Sequence, residues 1–168
     1  NDSASGASGP ASRRASRAHV RRATIDDWVA LVELEDSVFE VDRMSARQWR
    51  RHLESPSAQV LMARRERRLV GAAVLFFRRR DRVSRLYSIA VAADERGSGV
   101  GEILLAASER AARERGSRYL RLEVRQDNAG ARRFYQRHGY RELGTRTAYY
   151  EDGHDAVRYE KALHPCGI

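Results

Sequence analysis

Two stretches of the chain combine residue types and spacings that can do chemistry. The first is Ile89-Ala90-Val91, followed by Arg96-Gly97-Ser98-Gly99-Val100-Gly101-Glu102. A strand that passes through a glycine-rich turn into a helix lets a ligand approach the backbone closely. The free N–H groups of the first helical turn then favour an anion, a phosphate or pyrophosphate above all. The lysine and Ser/Thr of a nucleotide-hydrolysing loop are missing, because Glu102 stands where the lysine would. A dinucleotide fingerprint begun at Gly97 and Gly99 needs its third glycine one position beyond Gly101. Glu123 lies about where a ribose-binding acid would sit, which keeps that reading open. A turn with an ordinary helix cap would account for the same residues.

The second stretch is Glu123-Val124-Arg125-Gln126-Asp127-Asn128, followed by Phe134-Tyr135 and His138-Gly139-Tyr140. Asn128 and Tyr135 are seven positions apart. Two helical turns place both on one face, about 10 Å apart along the axis. A carboxylate at a strand end, an amide at a helix start and a phenol two turns on would border one cleft beside the glycine loop. Each has a plainer alternative: Glu123 as a solvated strand residue among arginines, Asn128 as an N-cap, Tyr135 as a core aromatic.

The elements that position these residues follow from the hydrophobic pattern. Residues 1–18 are mostly Ser, Ala, Gly and Arg with no hydrophobic period, which predicts a flexible tail. A single domain over residues 19–163 and an extension over 164–168 complete the chain. A strand at His19 to Arg22 leads to Thr24 and Asp27, spaced as a capping-box variant. Trp28, Leu31, Val32, Val38 and Phe39 form a helical stripe to about Phe39, interrupted by Glu35. Ser45 and Gln48 open a second helix that stops before Pro56. Strands are predicted at Gln59 to Ala63, Leu69 to Phe77 and Val83 to Val91. Val100, Ile103, Leu104, Ala107 and Ala111 mark a helix ended by Gly116. Tyr119 to Arg125 alternates as a strand, and Asn128 caps a helix with the stripe Ala131, Phe134, Tyr135 and His138. Two last strands, roughly Tyr140 to Tyr150 and Ala156 to Ala162, are joined by Glu151-Asp152-Gly153. This order gives a mixed α/β sheet with helices on its faces.

Composition narrows the classes. The 168 residues have room for one domain, and 42% are hydrophobic, as in a globular protein. Leu69 to Phe77, the longest apolar run, is far short of a bilayer span, and no signal segment opens the chain. These features predict a cytoplasmic protein without a membrane partner. Cys166 is the single cysteine, so no intramolecular disulfide forms, and no metal-ligand spacing is present. The net charge is +9, and Lys161 is the one lysine among 32 basic residues. A basic surface for nucleic acid would give this balance, and so would a GC-rich coding sequence. Many of the arginines sit near acids, Glu109 with Arg113 and Glu142 with Arg146, as a solvated face would have.

Arg96-Gly97-Ser98-Gly99-Val100-Gly101 resembles the Arg/Gln-x-x-Gly-x-Gly/Ala signature of the GNAT superfamily of N-acetyltransferases. Within it, residues 86–140 look most like bacterial ribosomal-protein N-terminal (alanine) acetyltransferases. They share Ile-Ala-Val before the loop, Leu-Glu-Val-Arg at 122–125, Asn128, Tyr135 and Gly139-Tyr140, and Tyr149-Tyr150 also fits. The resemblance covers roughly residues 19–163 and is thin over the first two helices. It implies a mostly antiparallel sheet of about seven strands with about four helices, and acetyl-CoA between the central parallel strands. It also implies that the backbone of Ile89, Ala90 and Val91 pairs with the pantetheine arm, which Asn128 would also bond. The N–H groups of Gly97 to Glu102 would hold the pyrophosphate. Glu123 matches the general base and Tyr135 the general acid, the Val91 N–H would face the oxyanion, and Tyr149 and Tyr150 would contact substrate. Ala92-Ala93 stands where many relatives have an Asp/Pro pair. The implied acceptor is an amine: a protein N-terminus, a lysine or a small molecule. A non-catalytic CoA-binding module that holds RNA or ribosome is the rival reading.

Overall fold

The computed structural model describes residues 16–78 and 80–164. Most of the expected tail (1–15) and the last four residues, Cys166 among them, lie outside the described residues. In chain order the elements are β1 (His19–Arg22), α1 (Trp28–Val38), α2 (Ala46–Glu54), β2 (Ala58–Arg65), β3 (Arg68–Phe77) and β4 (Val83–Val91). They continue as α3 (Val100–Glu114), β5 (Tyr119–Arg125), α4 (Ala129–Arg137), β6 (Arg141–Arg146) and β7 (Ala156–Ala162). Both expected capping boxes form, Thr24 with Asp27 ahead of α1 and Ser45 with Gln48 on α2. Among the described residues no helix is long and apolar enough to cross a membrane.

The sheet has seven strands in the order β1-β2-β3-β4-β5-β7-β6. Every neighbouring pair is antiparallel except β4 and β5. That parallel contact is short: Val83, Ser84 and Arg85 of β4 meet Tyr119, Leu120 and Arg121 of β5. Beyond it, β5 stays paired with β7 through Arg125 and β4 stays paired with β3 through Val91. The sheet therefore splits into a V-shaped slot between β4 and β5.

A bulge accompanies the split. Val74 pairs with Ser88 and Leu75 with Leu86, leaving Tyr87 without an opposite residue. An extra residue bends a strand and reverses its alternation. Leu86 accordingly packs in the core under α3, as do Ile89 and Val91 past the bulge. Ala90 and Ala92 turn to the core under α1 and α2.

Two cores sandwich the sheet. One joins Leu104 and Leu105 of α3 to Leu120, Leu122, Tyr135 and Tyr159. The other joins Leu31, Trp49, Met62 and Val74. Glu35, the break in the α1 stripe, is buried in this second layer at 2% exposure. One of its oxygens accepts from the Met44 N–H at 2.9 Å, tying α1 to the segment before α2, and the other oxygen has no partner.

Three local expectations change. The strand expected to reach Tyr150 ends at Arg146, whose partner Ala156 is the first residue of β7. The chain then turns at Ala148 (φ 50°), whose N–H donates to Asp155 at 2.8 Å, so Tyr149 and Tyr150 lie in a loop. Glu109, paired in sequence with Arg113, instead binds Lys161 Nζ at 2.5 Å. Glu142 meets Arg132 at 3.7 Å instead of Arg146.

Gly71 fixes how closely α3 lies on β3: a Cβ there would sit 2.8 Å from Leu104 Cδ1 and 2.9 Å from Val100 Cγ1. Gly71→Val should cost about 1–3 kcal/mol by overpacking, read as a lower urea midpoint. Glu35 supplies a pH signature. Burial raises its pKa above the ordinary carboxylate value. The folded state then holds this proton more tightly than the unfolded chain, so its stabilisation is present at low pH and lost as pH rises. Glu35→Gln keeps an acceptor for the Met44 N–H. Its Tm relative to wild type should climb between about pH 4 and pH 7, and a flat difference would contradict this.

Candidate active site

The slot leaves part of β4 without a strand partner. The Ala92 N–H donates to Val70 O at 2.9 Å. Antiparallel alternation then turns Ala90 toward β3 and gives the N–H and C=O groups of Ile89 and Val91 to the slot. Of the three backbone positions implied by the resemblance, two face the opening and Ala90 does not.

The glycine loop follows at the mouth of the slot. A 3-10 turn, Ala93–Glu95, is pinned by Arg68 to Asp94 at 2.7 Å and Arg65 to Glu95 at 3.1 Å. Gly97 and Gly99 have φ of 78° and 93°, and Gly99 is the N-cap of α3. Side chains are strained in that conformation, and no atom lies within 4 Å of where either Cβ would sit. The first-turn N–H groups of Val100, Gly101 and Glu102 point back over this open space, which suits an anion. Arg96 and Ser98 complete the loop, with the Ser98 hydroxyl donating to Glu95 O.

Glu123 lies on β5 with Arg121 and Arg125, on the face opposite Leu122 and Val124. It is not a solvated strand residue: its side chain is 7% exposed and held by Arg85 at 3.1 Å and Arg158 at 3.6 Å. Arg85 also donates to the Tyr149 hydroxyl. Neither arginine was marked by sequence. Arg85 shares β4 with the marked Ile89-Ala90-Val91, yet only the sheet register brings it beside Glu123.

Tyr135 is on α4, in the other core, with its ring edge-on to Phe134 at 5.1 Å and Tyr140 at 5.5 Å. Burial pushes its phenol pKa well up, with Tyr150 nearby adding to the shift, so it stays protonated. Tyr150 is half-buried, edge-on to Tyr149 at 5.0 Å and beneath the Arg125 guanidinium. Burial also raises its pKa, and the Glu123 charge contributes. Tyr150 is thus in electrostatic reach of both Glu123 and Tyr135. Asn128 Oδ1 accepts from the Ala131 N–H at 3.0 Å, the N-cap role, which leaves its amide NH₂ to donate elsewhere.

The slot backbone, the open glycine turn and the helix start match what an acetyl-CoA pantetheine arm and pyrophosphate require. Comparisons with known proteins agree. The model of the acetyltransferase (GNAT) family matches residues 28–140. A candidate ribosomal protein bS18-alanine N-acetyltransferase of Bacillus subtilis is 30% identical over 142 residues, covering 84% of this chain and 93% of that protein. The structure of the ribosomal-protein-S18-alanine N-acetyltransferase from Escherichia coli superposes with a TM-score of 0.80 at 23% identity, covering 90% of this chain and 97% of that one. A nourseothricin acetyltransferase structure aligns with a TM-score of 0.72 at 26% identity, covering 88% and 99%. The chain belongs to the GNAT family and is an acetyl-CoA-dependent acetyltransferase that acts on an amine.

Proposed function

We infer that the acceptor is the α-amino group of a protein N-terminus and that it attacks directly, with Glu123 as base and Tyr135 as acid. The observation that carries this is the pair's placement: Glu123 on the α1/α2 side of the sheet, Tyr135 in the core on the α3 side, and the slot between. An acceptor entering from the first side and a cofactor from the second would meet through the gap in the sheet. The 30% identity to the candidate bS18-alanine acetyltransferase supports a protein N-terminus. The nourseothricin acetyltransferase likeness supports a small-molecule amine as the second reading.

Bound acetyl-CoA supplies an activated acyl group and a thiolate leaving group whose thiol pKa is about 8.5. Glu123, oriented by two guanidiniums, accepts the acceptor's proton directly or through water, because an ammonium is not a nucleophile. The Val91 N–H, turned into the slot, donates to the carbonyl oxygen as negative charge builds there. Tyr135 keeps its proton and donates to the departing sulfur. Its raised pKa makes this chiefly hydrogen-bond stabilisation. Gly97 to Glu102 hold the pyrophosphate, and the Asn128 amide faces the pantetheine arm. Tyr149 and Tyr150 close the acceptor side.

Gly99→Glu should abolish acetyl-CoA binding in calorimetry, since it adds both a strained φ and a carboxylate where an anion sits. Unchanged affinity in a folded variant would remove the loop from this role. Glu123→Gln should lower turnover roughly 100-fold or more, mainly at low pH, with partial recovery as solvent supplies neutral amine. Wild-type rates across about pH 6 to 9 would exclude it as base. Tyr135→Phe should cost roughly 10- to 100-fold with little change in acetyl-CoA affinity. Free-thiol release from acetyl-CoA over N-terminal peptides, lysine peptides and small amines decides the acceptor.

A further inference from the structure

The α1/α2 side of the sheet is only half covered. The buried cluster beneath those helices draws on β2, β3 and β4 and on no residue of β5, β7 or β6. Past β4, two rows of charge run across the strands instead. In the first, Glu123 of β5 lies between Arg85 of β4 and Arg158 of β7. In the second, Glu160 of β7 lies between Arg121 of β5 at 2.5 Å and Arg141 of β6 at 3.3 Å. The two carboxylates are 7% and 5% exposed, whereas the four arginine side chains range from 28% to 75%. Anions are thus sunk against the sheet, with cations standing over them.

Each row holds two guanidiniums for one carboxylate, so each keeps one surplus positive charge. A guanidinium has five N–H donors, and one carboxylate contact leaves most of them free. Among the described residues, Arg158 Nε is buried 3.6 Å from Glu123 Oε1 without a hydrogen bond. A cavity of about 170 Å³ opens over Arg85, Arg121, Glu123 and Arg158, and Arg78 and Asp81 also line it. These donors suit planar, bidentate acceptors.

We propose that the arginine rows bind carboxylate side chains of the acceptor just downstream of its amine, making the substrate an acidic N-terminal segment. The proposal rests on the reading that a peptide amine enters from this face. Arg121 and Glu123 are one i, i+2 step apart on β5, about 7 Å, which equals about two residues of extended peptide. An amine at Glu123 therefore sets the acceptor's third residue over the second row. Surplus charges that are single and separated match individual carboxylates. An RNA backbone would use a continuous run of cations instead.

The test uses full-length protein with CoA and C-terminally labelled peptides that begin with alanine and carry Asp/Glu or Asn/Gln at positions 2–5. Fluorescence anisotropy should show the acidic peptides binding at least about 10-fold tighter, the advantage shrinking with salt. Arg121→Gln should remove most of that advantage and leave the neutral peptide's affinity unchanged. Arg110→Gln, on the outer face of α3, should preserve it. Equal binding by the wild-type protein overturns the proposal, and this arm needs no variant to fold. A preference that survives in Arg121→Gln, or falls equally in Arg110→Gln, also overturns it. So does single-stranded RNA binding that needs Arg121 when peptide binding does not. Acidic peptides that bind as expected but release no thiol from acetyl-CoA would support the arginine rows and refute the peptide-acetylation reading.

Discussion

Everything at this site depends on three residue pairs. β4 and β5 are joined at Val83, Ser84 and Arg85 and then part. A buried backbone N–H or C=O without a partner is costly, so a sheet that opens at its centre invites something to fill the gap. The strand neighbours on either side do not follow the opening, because β3 holds β4 from Ser84 to Val91 around the bulge at Tyr87 and β7 holds β5 from Tyr119 to Arg125. The Tyr87 bulge bends β4 and reverses its alternation, which gives Ile89 and Val91 to one core and Ala90 to the other.

The split also gives the site two sides. The α3 face carries the glycine turn, the helix start and Tyr135. The α1/α2 face carries Glu123, its arginines and the tyrosine loop. Charge follows the same division. The anion-binding positions beside α3 are backbone amides, indifferent to which side chains are present beyond the glycines. Those on the opposite face are guanidiniums, which single substitutions can change, at the cost of a buried carboxylate left with one partner fewer. On the function proposed above, cofactor binding is built into the fold and acceptor choice is carried by side chains.

Much of this was legible in sequence because it is local. The strand–glycine–helix run, the alternation of Tyr119 to Arg125 and the Asn128 cap each declare themselves within one short stretch of chain. Glu35 announced itself as a flaw in a stripe, although its role as acceptor for the Met44 N–H is visible only in three dimensions. The pairing of Glu123 with Arg85 and Arg158 had no local signal. β7 inserts between β5 and β6, so the partners of Glu123 are 38 positions upstream on β4 and, on β7, in the last strand of the chain. The Tyr87 bulge was equally silent, since β4 mixes polar and apolar residues without a strict alternation for an extra residue to break. The end of β6 was misplaced because Tyr149 and Tyr150 have strand propensity, and the turn at Ala148 overrode it.

Lys161 is the chain's only lysine. Its ammonium is clamped to Glu109 at 2.5 Å and lies beside the Tyr140 ring. Thioesters acylate neutral amines without any enzyme, and a protein that concentrates one in its own slot is the first target at hand. Here the other basic side chains, histidines aside, are guanidiniums, which stay protonated and do not attack. The arginine surface is therefore unreactive toward the thioester, an armour against self-modification that a lysine-rich surface of equal charge would lack.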